Sequence, residues 1–230
     1  MENLINTIFP PKCLFCNEVG DIFCENCISN CNILPTQFCV VCDKPSEDGF
    51  THQKCFRTGG EASRLICIYE YEGMVRDCIR KSKYSRKEFM ALKRLSFEGV
   101  TIAFEWGLDF SGFTIVPIPV SKKKEKSRGF NQVDVISRAF SIRFGLKIDN
   151  SILSRIKDTK AQHGFGRQQR FLNVKGSFKV NKNLSERKIL LLDDICTTGA
   201  TFLEASKVLY KANASEVWSF GLSKKIRELV

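Results

Sequence analysis

Three Cys-x-x-Cys pairs and one His-x-x-Cys pair fall between residues 13 and 55, and no other feature of the chain restricts its fold as tightly. Each pair presents two metal-ligand side chains from one tight turn, and two pairs brought together complete a tetrahedral site with Zn–S distances of about 2.3 Å. Cys13, Cys16, Cys24 and Cys27 make one such set, and Cys39, Cys42, His52 and Cys55 make a second. The chain has 11 cysteines, an odd number, which excludes a fully paired disulfide framework. In a reducing compartment this spacing signals metal. The reading is structural zinc at up to two sites, with an iron–sulfur cluster as the rival for four thiolates; the mixed Cys3His set leans towards zinc. Spacing alone leaves the pairing of the knuckles open, and Cys31, between the two sets, reads as a spare thiol. A module this small buries too little apolar surface to hold itself together, so metal binding supplies its folding energy.

Charge divides the chain where the knuckles end. Of 36 Lys/Arg and 25 Asp/Glu, residues 1–60 hold 4 and 7, which leaves 32 basic and 18 acidic residues in 61–230. The expected division is therefore a zinc-ribbon module over 1–60 and a strongly basic domain over 61–230. That surplus favours a polyanionic partner, either nucleic acid or a phosphorylated small molecule. The acidic balance of the ribbon argues against a nucleic-acid role there. No apolar run approaches the roughly 20 residues of a membrane span, and the opening MENLINTIFPP lacks the basic start of a secretory signal. The expectation is a cytoplasmic protein without membrane insertion.

From residue 61 strand and helix signals alternate. Leu65–Tyr71, Phe113–Pro119, Lys188–Asp193 and Glu216–Leu222 read as strands. Arg86–Glu105, Phe130–Phe144 and Gly199–Ala212 read as helices, the second carrying the apolar stripe Val133, Ile136, Phe140 and Phe144. Strands separated by helices imply an α/β fold with a mostly parallel sheet. The continuous apolar run KILLLD suits a strand covered on both faces.

Sites in such sheets lie at the carboxyl ends of strands, which directs attention to the turn after KILLLD. It reads Asp193, Asp194, Ile195, Cys196, Thr197, Thr198, Gly199, Ala200, Thr201. Unpaired N–H groups at a helix start, together with Thr hydroxyls, form a phosphate cradle, and Gly199 permits close backbone approach. Two carboxylates beside a phosphate would repel it unless they serve sugar hydroxyls or a magnesium ion.

LLLDDICTTGAT resembles the signature of type I phosphoribosyltransferases. The resemblance implies that the acidic pair holds the ribose hydroxyls of phosphoribosyl pyrophosphate (PRPP) while Thr197–Thr201 bind its 5′-phosphate, with Mg²⁺ as cofactor. VPIPV (116–120), RGFNQ (128–132), Thr159 with Gln162, Arg170 with Asn173, and the N-terminal double zinc ribbon are together similar to the ComF competence family, which includes GntX-like proteins. This implies a small N-terminal zinc-ribbon module followed by a type I phosphoribosyltransferase-like domain, and a link to DNA uptake and natural transformation. The departures are His52 in place of the first Cys of the last knuckle, Lys124 in place of an Arg, and Phe165 in place of a Leu. By the same resemblance the loop after VPIP takes the pyrophosphate, with Lys122, Lys124, Arg128 and Arg170 as candidates for its charge.

Lys122–Arg128 (KKKEKSR) reads either as a solvated loop or as a basic flap. Arg155–Arg170 is a second candidate flap, with Gly164 and Gly166 as hinges; His163 within it reads as exposed and idle, and Cys196 as present for size rather than as a nucleophile. Three functions compete. The first is a phosphoribosyltransferase using PRPP and Mg²⁺ on an unidentified acceptor, and the second a non-catalytic PRPP-sensing or single-stranded-DNA-binding protein that meets other competence proteins. The third, a zinc-ribbon adaptor, leaves the acid–Thr loop without a purpose.

Overall fold

The apolar run at the centre of the chain sets the layering. In the computed structural model, which describes residues 10–120, 131–157 and 166–226, Ile189–Leu192 are fully buried within strand β6 (Lys188–Cys196). Because strand side chains alternate between faces, Leu190 and Leu192 enter one apolar layer while Ile189 and Leu191 enter the other. The first layer is closed by α3 (Arg86–Glu105) and α4 (Gln132–Phe144) through Leu92, Leu95, Ile136 and Phe140. The second is closed by α6 (Ala200–Lys211) through Phe202, Ala205 and Leu209. Each such buried aliphatic side chain contributes about 1.5–3 kcal/mol.

The main sheet runs β1 (Arg64–Glu70), β7 (Glu216–Lys224), β6, β2 (Phe113–Pro117), β3 (Lys147–Ile148), with every pairing parallel. The expected α/β architecture is present. Strand β6 is longer than expected, because Asp193, Ile195 and Cys196 stay in register with Gly221, Ser223 and Lys224 of β7. The acid pair thus lies in the strand and the turn begins after it. Besides the two-residue strand β3, four further elements of the domain were not anticipated from sequence. They are helix α2 (Gly73–Lys81), an antiparallel pair formed by β4 (Leu153–Arg155) and β5 (Phe178–Val180), and helix α5 (Arg167–Val174). The expected flap over Arg155–Arg170 is corrected at both ends. Arg155 is a strand residue and Arg167–Arg170 open a helix that packs on α6.

The ribbon, with its short helix α1 (Glu25–Ser29), lies along the outer edge of β1. Leu34 N–H donates to the Ile68 carbonyl (2.7 Å), Glu70 N–H to Asn32 (2.9 Å) and Thr51 N–H to Ser63 (2.9 Å). The Gln37 amide completes the cover. Its oxygen accepts from Cys67 N–H (2.8 Å) and its nitrogen donates to the Cys67 carbonyl (2.9 Å), as a neighbouring strand would. An unpaired edge is a template for aggregation, and here the ribbon occupies it. Its apolar residues belong to the domain core: Phe23 and Ile28 join one layer, Leu34 and Val40 the other.

Candidate functional site

Two ligand clusters form in the ribbon, and their membership answers the question that spacing left open. Cys13, Cys16, Cys24 and Cys27 converge in one, and Cys39, Cys42, His52 and Cys55 in the other, each with all donor atoms within 4.8 Å of one another. Tetrahedral Zn–S bonds imply sulfur separations of about 3.8 Å; Cys16 and Cys24 Sγ lie 3.5 Å apart, and Cys42 Sγ lies 3.3 Å from His52 Nδ1. His52 Nε2 is 3.1 Å from the Pro45 carbonyl, so an Nε2–H donated there leaves Nδ1 free to ligate. Crowding these groups as thiolates requires a cation. Burial, then the Cys42 and Cys39 thiols beside it, push Cys55 up to about 11. At Cys13 burial opposes ionisation, yet hydrogen bonds from the backbone of Cys24, Cys16 and Phe15 bring the thiol down to about 6. The donor chemistry fits structural Zn²⁺ in both sets. Cys31 is outside them, buried, with its thiol pushed up to about 11 by that burial.

The third knuckle, Cys39–Cys42, abuts the Thr-rich turn. Gly199 adopts φ +75°, and a Cβ placed there would lie 2.5 Å from the Val40 carbonyl oxygen, between Cys39 and Cys42. Arg167 donates to the Val41 carbonyl and lies 3.7 Å from Asp43. Lys224, only 2% exposed at the end of β7, sits 2.5 Å from the other Asp43 oxygen and over the Phe38 ring. Burial alone would lower the Lys224 ammonium, but Cys196 and Asp43 hold it raised.

On this floor stands the acid pair. Asp193 Oδ1 accepts from Asp194 N–H (2.9 Å), and Ser223 Oγ donates to the Asp194 carbonyl (3.2 Å). Burial first, and then the charge of Asp194, push the Asp193 carboxyl well above the usual carboxylate range, with Arg155 opposing. Lys83 Nζ lies 3.8 Å from Asp194 Oδ2. Past the strand, Thr197 Oγ1 accepts from Arg170 Nη1 (3.1 Å), which sets Arg170 against the Thr-rich turn. Thr198 is buried, and its hydroxyl accepts from Ala200 N–H (3.4 Å), the first amide of the helix whose N-cap is Gly199. Thr201 follows in the first turn of α6, partly exposed. Cys196 is buried in the same apolar layer as Cys67.

Beside this turn the end of β2 is held by Asn131, whose Nδ2 donates to the Ile118 carbonyl (3.2 Å). Pro117, Pro119, Asn131, Asp134, Ser154 and Arg155 line a cleft of about 210 Å³ there. Lys122, Lys124, Arg128, Thr159, Gln162 and His163 lie outside the described residues. Lys83, Asp43 and Lys224 belong to the candidate site but carried no signal in the sequence, since each is placed by contacts between distant segments; in the sequence Arg155 and Arg167 stand out only as part of the expected flap. Among the described residues no helix is long and apolar enough to cross a membrane.

A family model described as a double zinc ribbon domain matches residues 4–57. Over 220 residues, 87% of this chain and 96% of the relative, the chain is 26% identical to competence protein F of Haemophilus influenzae. It is 28% identical over 190 residues to the DNA utilization protein YhgH of Escherichia coli, covering 78% and 82% of the two chains. It is 27% identical over 222 residues to competence protein ComFC of Bacillus subtilis, covering 92% and 88%. Among solved structures, a hypoxanthine phosphoribosyltransferase from Staphylococcus aureus matches 61% of this chain and 75% of its own, at 12% identity and a TM-score of 0.36. The resemblance to the ComF competence proteins extends over most of the chain.

Proposed function

We propose that this protein binds PRPP with Mg²⁺ at the carboxyl end of β6 and acts as a phosphoribosyltransferase in DNA uptake and natural transformation, on an acceptor still to be identified. One observation supports the reading most. The pair Asp193–Asp194 follows the buried run of strand β6 near its carboxyl end, and the turn after Cys196 leads through Gly199, at φ +75°, into the N-terminus of α6. The carboxylates suit the two ribose hydroxyls, and the helix-start amides with Thr197 and Thr201 suit the 5′-phosphate, beside Arg170. The pyrophosphate would fall to the loop after VPIP, with Lys122, Lys124 and Arg128. Mg²⁺, when bound, neutralises charge on the phosphate oxygens. Loss of pyrophosphate from C1 passes through an oxocarbenium-like state, so these residues act by orienting the sugar and stabilising the departing charge.

A non-catalytic reading, in which the site senses PRPP and the main partner is single-stranded DNA or another competence protein, draws support from the formal charge of +11 and from relatives named for competence and DNA utilization. Calorimetric titration of PRPP with Mg²⁺ into zinc-loaded wild type and into Asp193→Asn/Asp194→Asn tests the site. Binding that the double variant loses supports it, and no binding to folded wild type refutes it. Single-stranded DNA binding, if it is the main activity, weakens steeply with salt, with a log–log slope of about −0.7 per phosphate contacted.

A further inference from the structure

Two described residues of the RGFNQ segment, Asn131 and Gln132, bond to backbone and hydroxyl groups rather than to the acid pair. Gln132 is buried at the start of α4, and its Nε2 donates to the Ile79 carbonyl (2.8 Å) and to Ser82 Oγ (2.5 Å). Ser82, fully buried, donates back to the Ile79 carbonyl (2.9 Å). These bonds fasten the C-terminal end of α2, and the next residue is Lys83. An apolar side chain of similar volume would fill the same space; what the amide adds is a fixed position for this turn. The position matters because Lys83 Nζ lies 3.8 Å from Asp194 Oδ2 with 22% of the side chain exposed.

Two adjacent carboxylates repel an anionic ligand unless a cation stands with them. Among the described residues, Lys83 is the cation that ion-pairs with Asp194, while Arg155 acts on Asp193 from the opposite strand pair. Lys83 is also partly open to solvent.

We propose that Lys83 is a ligand-binding residue of this site, its ammonium offsetting the acid pair in the free protein and meeting a phosphate oxygen of the bound sugar phosphate, and that Gln132 is the positioning residue that holds it there. The inference rests on the sugar-phosphate reading above. A surface ion pair serving the fold alone would leave ligand affinity unchanged.

The experiment is calorimetric titration of PRPP with Mg²⁺ into the full, zinc-loaded chain as wild type, Lys83→Met, Lys83→Arg, Gln132→Met and Lys83→Met/Gln132→Met. A charge-assisted contact predicts that Lys83→Met weakens binding about tenfold or more, and that Lys83→Arg restores most of it. Gln132→Met weakens binding comparably, and the double variant binds no worse than Lys83→Met alone, because the glutamine acts through the lysine. Should Gln132→Met fail to fold, Ser82→Ala, which removes only the hydroxyl, takes its place in the same cycle. Wild-type affinity in Lys83→Met overturns the binding role, and additive losses overturn the positioning role. If folded wild type does not bind, the sugar-phosphate reading fails and this inference falls with it.

Discussion

Gly199→Ala separates the two demands made on that glycine. An alanine there meets a backbone conformation of φ +75° and a carbonyl oxygen, Val40 O, 2.5 Å from its Cβ. Gly112 supplies the matched control, since it has φ +77° with nothing within 4 Å of a Cβ. The left-handed conformation costs an L-residue about 1–2 kcal/mol, and both variants bear it equally. The collision is with backbone that cannot rotate away, and overpacking of this kind adds about 1–3 kcal/mol. Gly112→Ala is therefore expected to lose about 1–2 kcal/mol and Gly199→Ala about 2–5 kcal/mol. At roughly 2–4 °C per kcal/mol for a chain of this size, scanning calorimetry with zinc present resolves the difference. Gly199→Ala should also lose Mg–PRPP binding, because relief of the collision moves the turn, while Gly112→Ala keeps it. Equal destabilisation of the two variants would refute the packing of the third knuckle against the Thr-rich turn.

Asp43→Ala strands the buried Lys224 ammonium and is expected to cost about 3–5 kcal/mol in chemical denaturation; adding Lys224→Met should recover much of it, and no recovery would mean that Asp43 acts otherwise. Asp193→Asn should remove Mg–PRPP binding while stabilising the fold, and more so at pH 8 than at pH 4. The folded Asp193 carboxyl sits above its unfolded value of about 3.9, so the native state holds the proton longer and wild-type stability falls as pH rises through that interval. Melting curves at the two pH values check the sign, and a stabilisation greater at pH 4 would contradict it. Metal analysis should find two Zn²⁺ per chain, one in Cys27→Ala and two in His52→Cys; an undiminished count in Cys27→Ala would show that the first cluster is not a ligand set.

Local chemistry was the legible part of this chain. The two ligands of each knuckle are neighbours in sequence, so the four knuckles could be read before any fold was known, while their pairing into two sets waited for the fold. The long helix Arg86–Glu105 and the run Ile189–Leu192 announced themselves because periodicity needs length to show. Helix α2 did not, since GMVRDCIRK buries only Val75, Cys78 and Ile79 between charges. Strands β4 and β5, three residues each, are too short to carry a pattern. The acid pair looked like a turn because it ends the apolar run; pairing with β7, far along the chain, keeps it extended. In the site, the residue types from Asp193 to Thr201 could be read. What surrounds them could not, because Val40, Lys83 and Arg155 arrive from separate elements and depend on the completed fold.

The cover over β1 has a consequence for the order in which the molecule assembles. Strand β1 finds its sheet partner only in β7, so residues 64–70 are synthesised well before residues 216–224 exist to pair with them. Without a cover, the nascent chain would carry a buried-type strand with both edges open throughout that interval, the state in which intermediates aggregate. The ribbon is made first, and once its metals have closed the knuckles it can occupy one edge through Asn32, Leu34 and the Gln37 amide, leaving the other for β7. Zinc then acts as a chaperone built into the chain, and metal starvation during synthesis should appear as insoluble protein rather than as soluble protein with an empty ribbon.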